Sequence, residues 1–191
     1  MTRFHLLFLL LVAIAVPFAT ADTIQLNNNT FGNIGFVTLT QQGGGVLVTL
    51  TANSGFSLKT QGGDVLFSTT MNLSAANISG IMINGVPYTG SFSFGGPAHR
   101  AGNTFTYDLT KLNVHGITSA STISFIISGV TVKELSGAWG VHFCVGGGSN
   151  CGPNTGFGTG KGATVPEPGT LSLLGTGLVG LAGFFRRRLL S

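Results

Sequence analysis

From Thr23 to Val145 apolar and polar side chains alternate with a period of two, and that period limits the fold more than any other feature of the chain. It is clearest where Gly35-Phe36-Val37-Thr38-Leu39-Thr40 runs through Gln41-Gln42-Gly43-Gly44-Gly45 into Val46-Leu47-Val48-Thr49-Leu50-Thr51. In an extended chain successive side chains point to opposite faces, so each arm offers one apolar face, and β-branched residues suit that pleat. The glycine-rich connector predicts a hairpin with a longer loop. Further strands are predicted at 56–59, 65–70, 78–83, 91–94, 104–109, 122–128 and 139–144. Turn formers separate them: Gln61-Gly62-Gly63-Asp64, Asn84-Gly85, Gly95-Gly96-Pro97, Gly116 and Ser136-Gly137. Asn84-Gly85 is the strongest tight-turn signal, because both residues tolerate positive φ. A helix at 73–81 is opposed by Asn77, Ser79 and Gly80. Strands about ten residues apart predict an all-β fold, an antiparallel β-sandwich over residues 22–149. The chain's 15 Phe give it a core.

Charge narrows the function classes. Charged residues make up 7% of the chain, against roughly 25% in an ordinary soluble domain. With 43% hydrophobic residues, charge-driven disorder is excluded for most of the chain. The formal net charge of +4 comes mainly from the two ends, Arg3 and the cluster Arg186, Arg187 and Arg188. Between them Lys59, Arg100, Lys111, Lys133 and Lys161 face Asp22, Asp64, Asp108 and Glu134, all scattered. No basic stripe exists to follow a row of phosphates, so nucleic acid is not expected as a partner.

Residues 1–21 read as a secretory signal peptide. Thr2-Arg3 is a short positive region, and residues 6–16 are an apolar run of eleven, too short to span a bilayer. Pro17 ends the run, and Ala19-Thr20-Ala21 fits signal peptidase, which accepts small side chains at Ala19 and Ala21. The mature chain is expected to start at Asp22, with signal peptidase and the Sec export machinery as partners.

The other end has three parts: Val165-Pro166-Glu167-Pro168, then residues 169–185 without a charge, then a basic tail over 186–191. Seventeen helical residues span about 25 Å, enough for a thin bilayer. The arginines stay on the cytoplasmic side, which leaves the body outside a single C-terminal transmembrane helix. Two prolines keep the preceding segment extended, open to a protease that binds its substrate as a strand.

In this order of parts the tail resembles the PEP-CTERM protein-sorting signal of Gram-negative bacteria. The resemblance implies that Val165, Pro166, Glu167 and Pro168 are recognised by an exosortase, a membrane-embedded cysteine-type transpeptidase. It implies an inner-membrane anchor with the body periplasmic, then release or transfer to the cell surface or the outside. It also implies association with exopolysaccharide and biofilm. The body is similar to a recurrent PEP-CTERM passenger, in its V-T-L-T and V-L-V-T-L-T hairpin, Asn103-Thr104-Phe105-Thr106-Tyr107, residues 124–129, and an aromatic strand ending in Cys144. That likeness carries no activity.

Residues 150–164 have no apolar period and are expected to be a flexible, exposed linker. Their glycines do not form a phosphate loop: Thr155 and Gly162 stand where a Walker A motif needs Gly and Ser or Thr.

Cys144 and Cys151, with six residues between them, are the only cysteines. In an oxidising compartment a close, even pair predicts a disulfide. His142 and Cys144 share a strand face but are too few for a zinc site, and no metal or cofactor is expected. Asp64 and Asp108 are the one pair of carboxylates of the glycosidase kind. Asp64 reads as a turn residue and Asp108 as a solvent-facing strand residue, and no G-x-S-x-G occurs. No catalytic residues are therefore assigned. Among Trp139, Tyr88 and Tyr107, Trp139 between Gly137 and Gly140 is the candidate sugar platform, set against ordinary core packing. The expected function is an exported structural or adhesive surface protein. The alternatives are a carbohydrate-binding module and a glycan-active hydrolase.

Overall fold

The computed structural model describes residues 21–60, 64–110, 112, 119–146, 151 and 154–162. These residues are all-β and antiparallel. Strands β1 (Ala21–Asn28), β2 (Gly32–Gln42), β3 (Gly45–Ala52), β4 (Phe56–Lys59) and β5 (Asp64–Phe67) come first. A 3-10 turn at Ala75–Asn77 leads into β6 (Ile78–Ile83), β7 (Val86–Pro87) and β8 (Ser93–Gly95). Then follow β9 (Ala98–Arg100), β10 (Asn103–Phe105), β11 (Tyr107–Thr110), β12 (Ser119–Ala120) and β13 (Thr122–Ser128). A one-turn helix α1 (Val132–Leu135) precedes β14 (Ala138–Val145) and β15 (Thr155–Lys161).

The spacing of strands suggested a sandwich. Thirteen of the strands instead form one continuous sheet, in the order β7-β6-β13-β3-β2-β1-β15-β14-β5-β11-β8, with β4 and β12 joined to it through β14, and β9 and β10 form a separate two-stranded ribbon. The sheet curls: β8, at one end, touches the turn that leads into β6, near the other. One core fills the curl, drawn from both halves, with Val37, Val48, Leu50, Phe125, Phe67, Val141 and Phe143 all fully buried. The alternation that predicted strands is the alternation of burial, as in β13, where Ile123, Phe125 and Ile127 point inward.

Two local features differ from the sequence reading, and two others agree with it. The β2–β3 connector is tighter, a two-residue turn at Gly43-Gly44 between the paired Gln42 and Gly45. Gly43 has φ of 54°, the placement of a primed hairpin turn, so the flanking glutamines and Gly45 extend the ladder. The helix excluded at 73–81 is indeed replaced by the short turn and β6. At Asn84-Gly85 both residues adopt positive φ, 52° and 77°, and close β6 onto β7.

The second difference concerns the expected linker. Residues 155–161 are β15, an interior strand between β1 and β14. Its glycines give no apolar signal, yet they are what fits there. A Cβ on Gly158 would sit 2.5 Å from Ile34 Cγ1, and one on Gly160 would run into the Gln25 carbonyl. The apolar partners come from neighbouring strands, and β15 supplies backbone and room. Gly160→Ala is expected to cost about 2 kcal/mol or more by forced displacement. Gly44→Ala, with nothing within 4 Å of its Cβ, is expected to change stability by under about 0.5 kcal/mol. Urea denaturation of the two variants beside the parent checks the difference.

Candidate functional site

Cys144 and Cys151 are joined, with Cα atoms 5.4 Å apart. Cys144 is buried in β14 opposite Thr155, and Val145 N–H donates to the Asn154 carbonyl at 2.9 Å. The bond therefore closes the connection between the two last strands.

Trp139 is not a surface platform. It is fully buried, its ring stacks on Phe67 with centroids 5.0 Å apart, and its Nε1–H donates to the Leu135 carbonyl at 2.7 Å. The strand period puts it on the core face with Val141 and Phe143, and the helix α1 that ends at Leu135 supplies the acceptor. This overturns the sugar-platform reading for Trp139: the flanking glycines do not open its face. Gly137 lies against the Ser68 carbonyl and Gly140 against Phe105. Tyr107 continues the stack, 5.6 Å from Phe67 and 5.1 Å from Phe94. Its hydroxyl accepts from Leu73 N–H and donates to the Met71 carbonyl. The Tyr88 hydroxyl donates to the Ser91 carbonyl.

The opposite face of the same strands carries a second small core. The β9–β10 hairpin lies over it, packing Ala98 and Phe105 on Leu66, with Ala138 and Phe157 alongside. The hairpin brings charge with it. Arg100 Nε donates to Asp64 Oδ2 at 3.1 Å, and its guanidinium sits 5.8 Å from the Phe157 ring centre. His142 stacks on the same ring at 4.5 Å. Next to the hairpin, Asn103, Phe105, Thr159 and Lys161 line a depression of about 220 Å³.

Asp64 and Asp108, the carboxylate pair considered from sequence but read there as a turn and a surface residue, come together here. They lie on adjacent strands, Asp108 opposite Leu66 and Asp64 opposite Thr110, which puts both on one face. Asp108 is half-buried, and its Oδ1 makes no hydrogen bond among the described residues. Burial first, and the Asp64 carboxylate second, push its carboxyl up from the ordinary 3.8 to about 6, against the pull of Arg100. Chemically, the arrangement is a carboxyl group that holds its proton up to about pH 6 beside a carboxylate engaged by an arginine.

This cluster was not legible beforehand. The β9–β10 turn is Ala101-Gly102, with φ of 47° and 75°. Alanine seldom adopts positive φ, so nothing in the sequence marks a hairpin there. His99 Nδ1 and Thr104 Oγ1, 2.9 Å apart across it, add a side-chain link.

The remaining candidate residues fall as follows. Ala21 and Asp22 open β1, with Asp22 buried beside β2. Ala19, Val165, Pro166, Glu167, Pro168, Arg186, Arg187 and Arg188 lie outside the described residues, as do the apolar segments 6–16 and 169–185. Among the described residues no helix is long and apolar enough to cross a membrane, and no group of three or more His, Cys, Asp or Glu is placed to hold a metal ion.

With the architecture defined as an all-β body followed closely by a short tail, comparison with known proteins places the tail. Residues 164–188 match the PEP-CTERM protein-sorting motif. The chain thus carries the sorting signal of an exosortase substrate, which implies exosortase as its processing partner. It also implies export, with a membrane-anchored C-terminal signal before processing. No curated protein and no solved structure matches the chain.

Two measurements follow from this geometry. Replacing both cysteines by serine removes a short loop closure and is expected to cost about 2–3 kcal/mol, read as a lower urea midpoint than the oxidised parent. The second concerns pH. Because the folded state raises the affinity of Asp108 for its proton, the stabilising effect of that proton is full below about pH 4 and is lost as pH rises through about 6. Asp108→Asn is therefore expected to raise the melting temperature at pH 8 relative to the parent. The difference should shrink or vanish at pH 4.

Proposed function

We propose that this chain is an exported passenger which exosortase processes near the Pro-Glu-Pro segment, and that the body then serves at the cell surface or in the extracellular matrix. Its role there is structural or adhesive, in association with exopolysaccharide. The observation that carries the reading is the sorting motif at residues 164–188, placed directly behind a folded sheet. Two further features support it. The Cys144–Cys151 bond suits a compartment outside the cytoplasm. A body with few charges suits packing within a polymer.

A second reading rests on one specific observation, the meeting of Asp64 and Asp108 on one face. A protonated carboxyl beside an ionised one is the pairing that glycan hydrolysis uses. Turnover of a panel of glycans, lost in Asp64→Asn and Asp108→Asn, would favour it over the structural role.

The leading reading is tested by the intact mass of the protein from the surface and medium of its native host. A mass running from Asp22 to the 165–168 segment is expected. A mass running to Ser191, confined to membranes, would mean a permanent anchor. Co-sedimentation of the processed body with the host's exopolysaccharide is expected as well, and a body left wholly in the supernatant counts against the matrix role.

A further inference from the structure

The outer face of β1, β2, β3, β13 and β6 has a chemistry of its own. Strand alternation and register set its outward side chains in three rows across the strands. The middle row runs Thr23, Thr38, Thr49, Ser124 and Met82. On one side of it stand Gln25, Phe36, Thr51 and Thr122. On the other stand Ala21, Thr40, Leu47, Ile126 and Ser79. All of them are exposed or partly exposed. Neighbouring strands lie about 4.8 Å apart and alternate residues about 6.7 Å apart along each, so the rows cover roughly 19 Å by 13 Å.

Two properties set this face apart. It carries no charge: Asp22 is the one charged side chain in the five strands, and it points inward. A soluble surface ordinarily has roughly a quarter or more of its residues charged. Its hydroxyls are also unengaged. Among the described residues, no Thr or Ser hydroxyl of the three rows makes a hydrogen bond. Polar side chains beside the face are tied down by contrast. Asn84 Oδ1 accepts from the Ser121 and Thr122 N–H groups, and Asn77 Nδ2 donates to the Ser128 carbonyl. Phe36 stands within the hydroxyl array, between Gln25 and Thr51. It belongs to neither core cluster, and among the described residues its ring pairs with no other.

This combination selects a ligand. A hydroxyl both donates and accepts, so a row of them matches a partner whose own groups do the same. A sugar polymer is such a partner, with hydroxyls at the ring edges and an apolar C–H face that lies against an aromatic ring. An acidic polymer or a lipid surface would meet no counter-charge here. A second copy packed face to face would bury two fixed sets of hydroxyls, and each one left unpaired costs free energy. A polysaccharide avoids that cost, because it can shift along the rows and keep bridging water.

We infer that this face binds an uncharged polysaccharide, with Phe36 against a sugar ring and the Thr and Ser rows hydrogen-bonded along the polymer. The inference rests on the exopolysaccharide reading and gives it a surface and a ligand class. Exopolysaccharide of the native host is separated by anion exchange into uncharged and acidic fractions, and each is immobilised. The chain recovered from that host is then titrated against both. Binding to the uncharged fraction is expected. Phe36→Ala is expected to weaken it about fivefold or more, and Thr38→Val with Thr49→Val about tenfold. Valine keeps the β-branched shape and adds apolar area, so binding that holds or tightens in that variant overturns the role of the hydroxyls. Thr49→Lys sets a charge in the middle row without touching the core, and tests the face even if Phe36→Ala weakens the sheet; about a tenfold loss is expected. Val86→Lys, on an exposed turn off the rows, is expected to bind as the parent does, and an equal loss there overturns the placement. Binding to the acidic fraction alone, or equal binding by parent and face variants, overturns the inference and leaves the matrix reading intact. Binding to neither fraction overturns both.

Discussion

The architecture depends on the backbone of β15 fitting between β1 and β14. Without it the hydrogen-bonded path breaks into two sheets, one ending at β1 and the other at β14. The strand does this with almost no side chains on its inner face. Gly156 leaves 3.0 Å between its Cβ position and Phe143 Cζ, and Gly158 lies as tightly against Ile34. Ile24, Leu26, Ile34 and Phe143, all fully buried, fill the space that larger residues in β15 would have claimed. Close packing tolerates little added volume, so the row of glycines is a steric requirement of the joint.

Around that joint the two faces of the sheet serve different ends. On the inner face an aromatic ladder crosses four strands, from Trp139 through Phe67 and Tyr107 to Phe94. Stacked and edge-on rings bury large areas in defined geometry, and the polar atoms of Trp139 and Tyr107 are satisfied by backbone partners. On the outer face the β9–β10 hairpin adds a thin second layer, and beneath it Asp64, Arg100 and Asp108 lie close together. The Asp64–Arg100 pair is partly exposed and contributes under about 1 kcal/mol on its own. Its greater effect is on Asp108, whose proton affinity reflects both the cover and the neighbouring carboxylate.

The fold class was legible because most strands carry their own alternation. Residues 56–59, 78–83 and 122–128 were predicted with the boundaries they have. What escaped did so for physical reasons. β1 alternates, but its inward positions include Asp22 and its end is a run of asparagines, so it resembles a polar lead-in. β15 reads as a linker because the side chains that justify it belong to other strands. β9 and β10 meet through an alanine at positive φ, which no turn rule anticipates. The disulfide was readable from spacing and compartment alone. The burial of Trp139 was one of two readings the sequence allowed, since flanking glycines signal close backbone contact as readily as an open face. The nearness of Asp64 and Asp108 is a matter of strand register, which a single sequence does not state.

The Cys144–Cys151 bond has a consequence for an exported chain that meets a protease. It encloses residues 145–150, the end of β14 and the larger part of the 146–154 connection to β15. A single nick between Cys144 and Cys151 leaves the last strand covalently attached to the body. The unpaired edges of β1 and β14 would otherwise be free to recruit another chain, as exposed strand edges do. The bond thus protects the most replaceable-looking strand of the sheet from being lost by a cut within that loop.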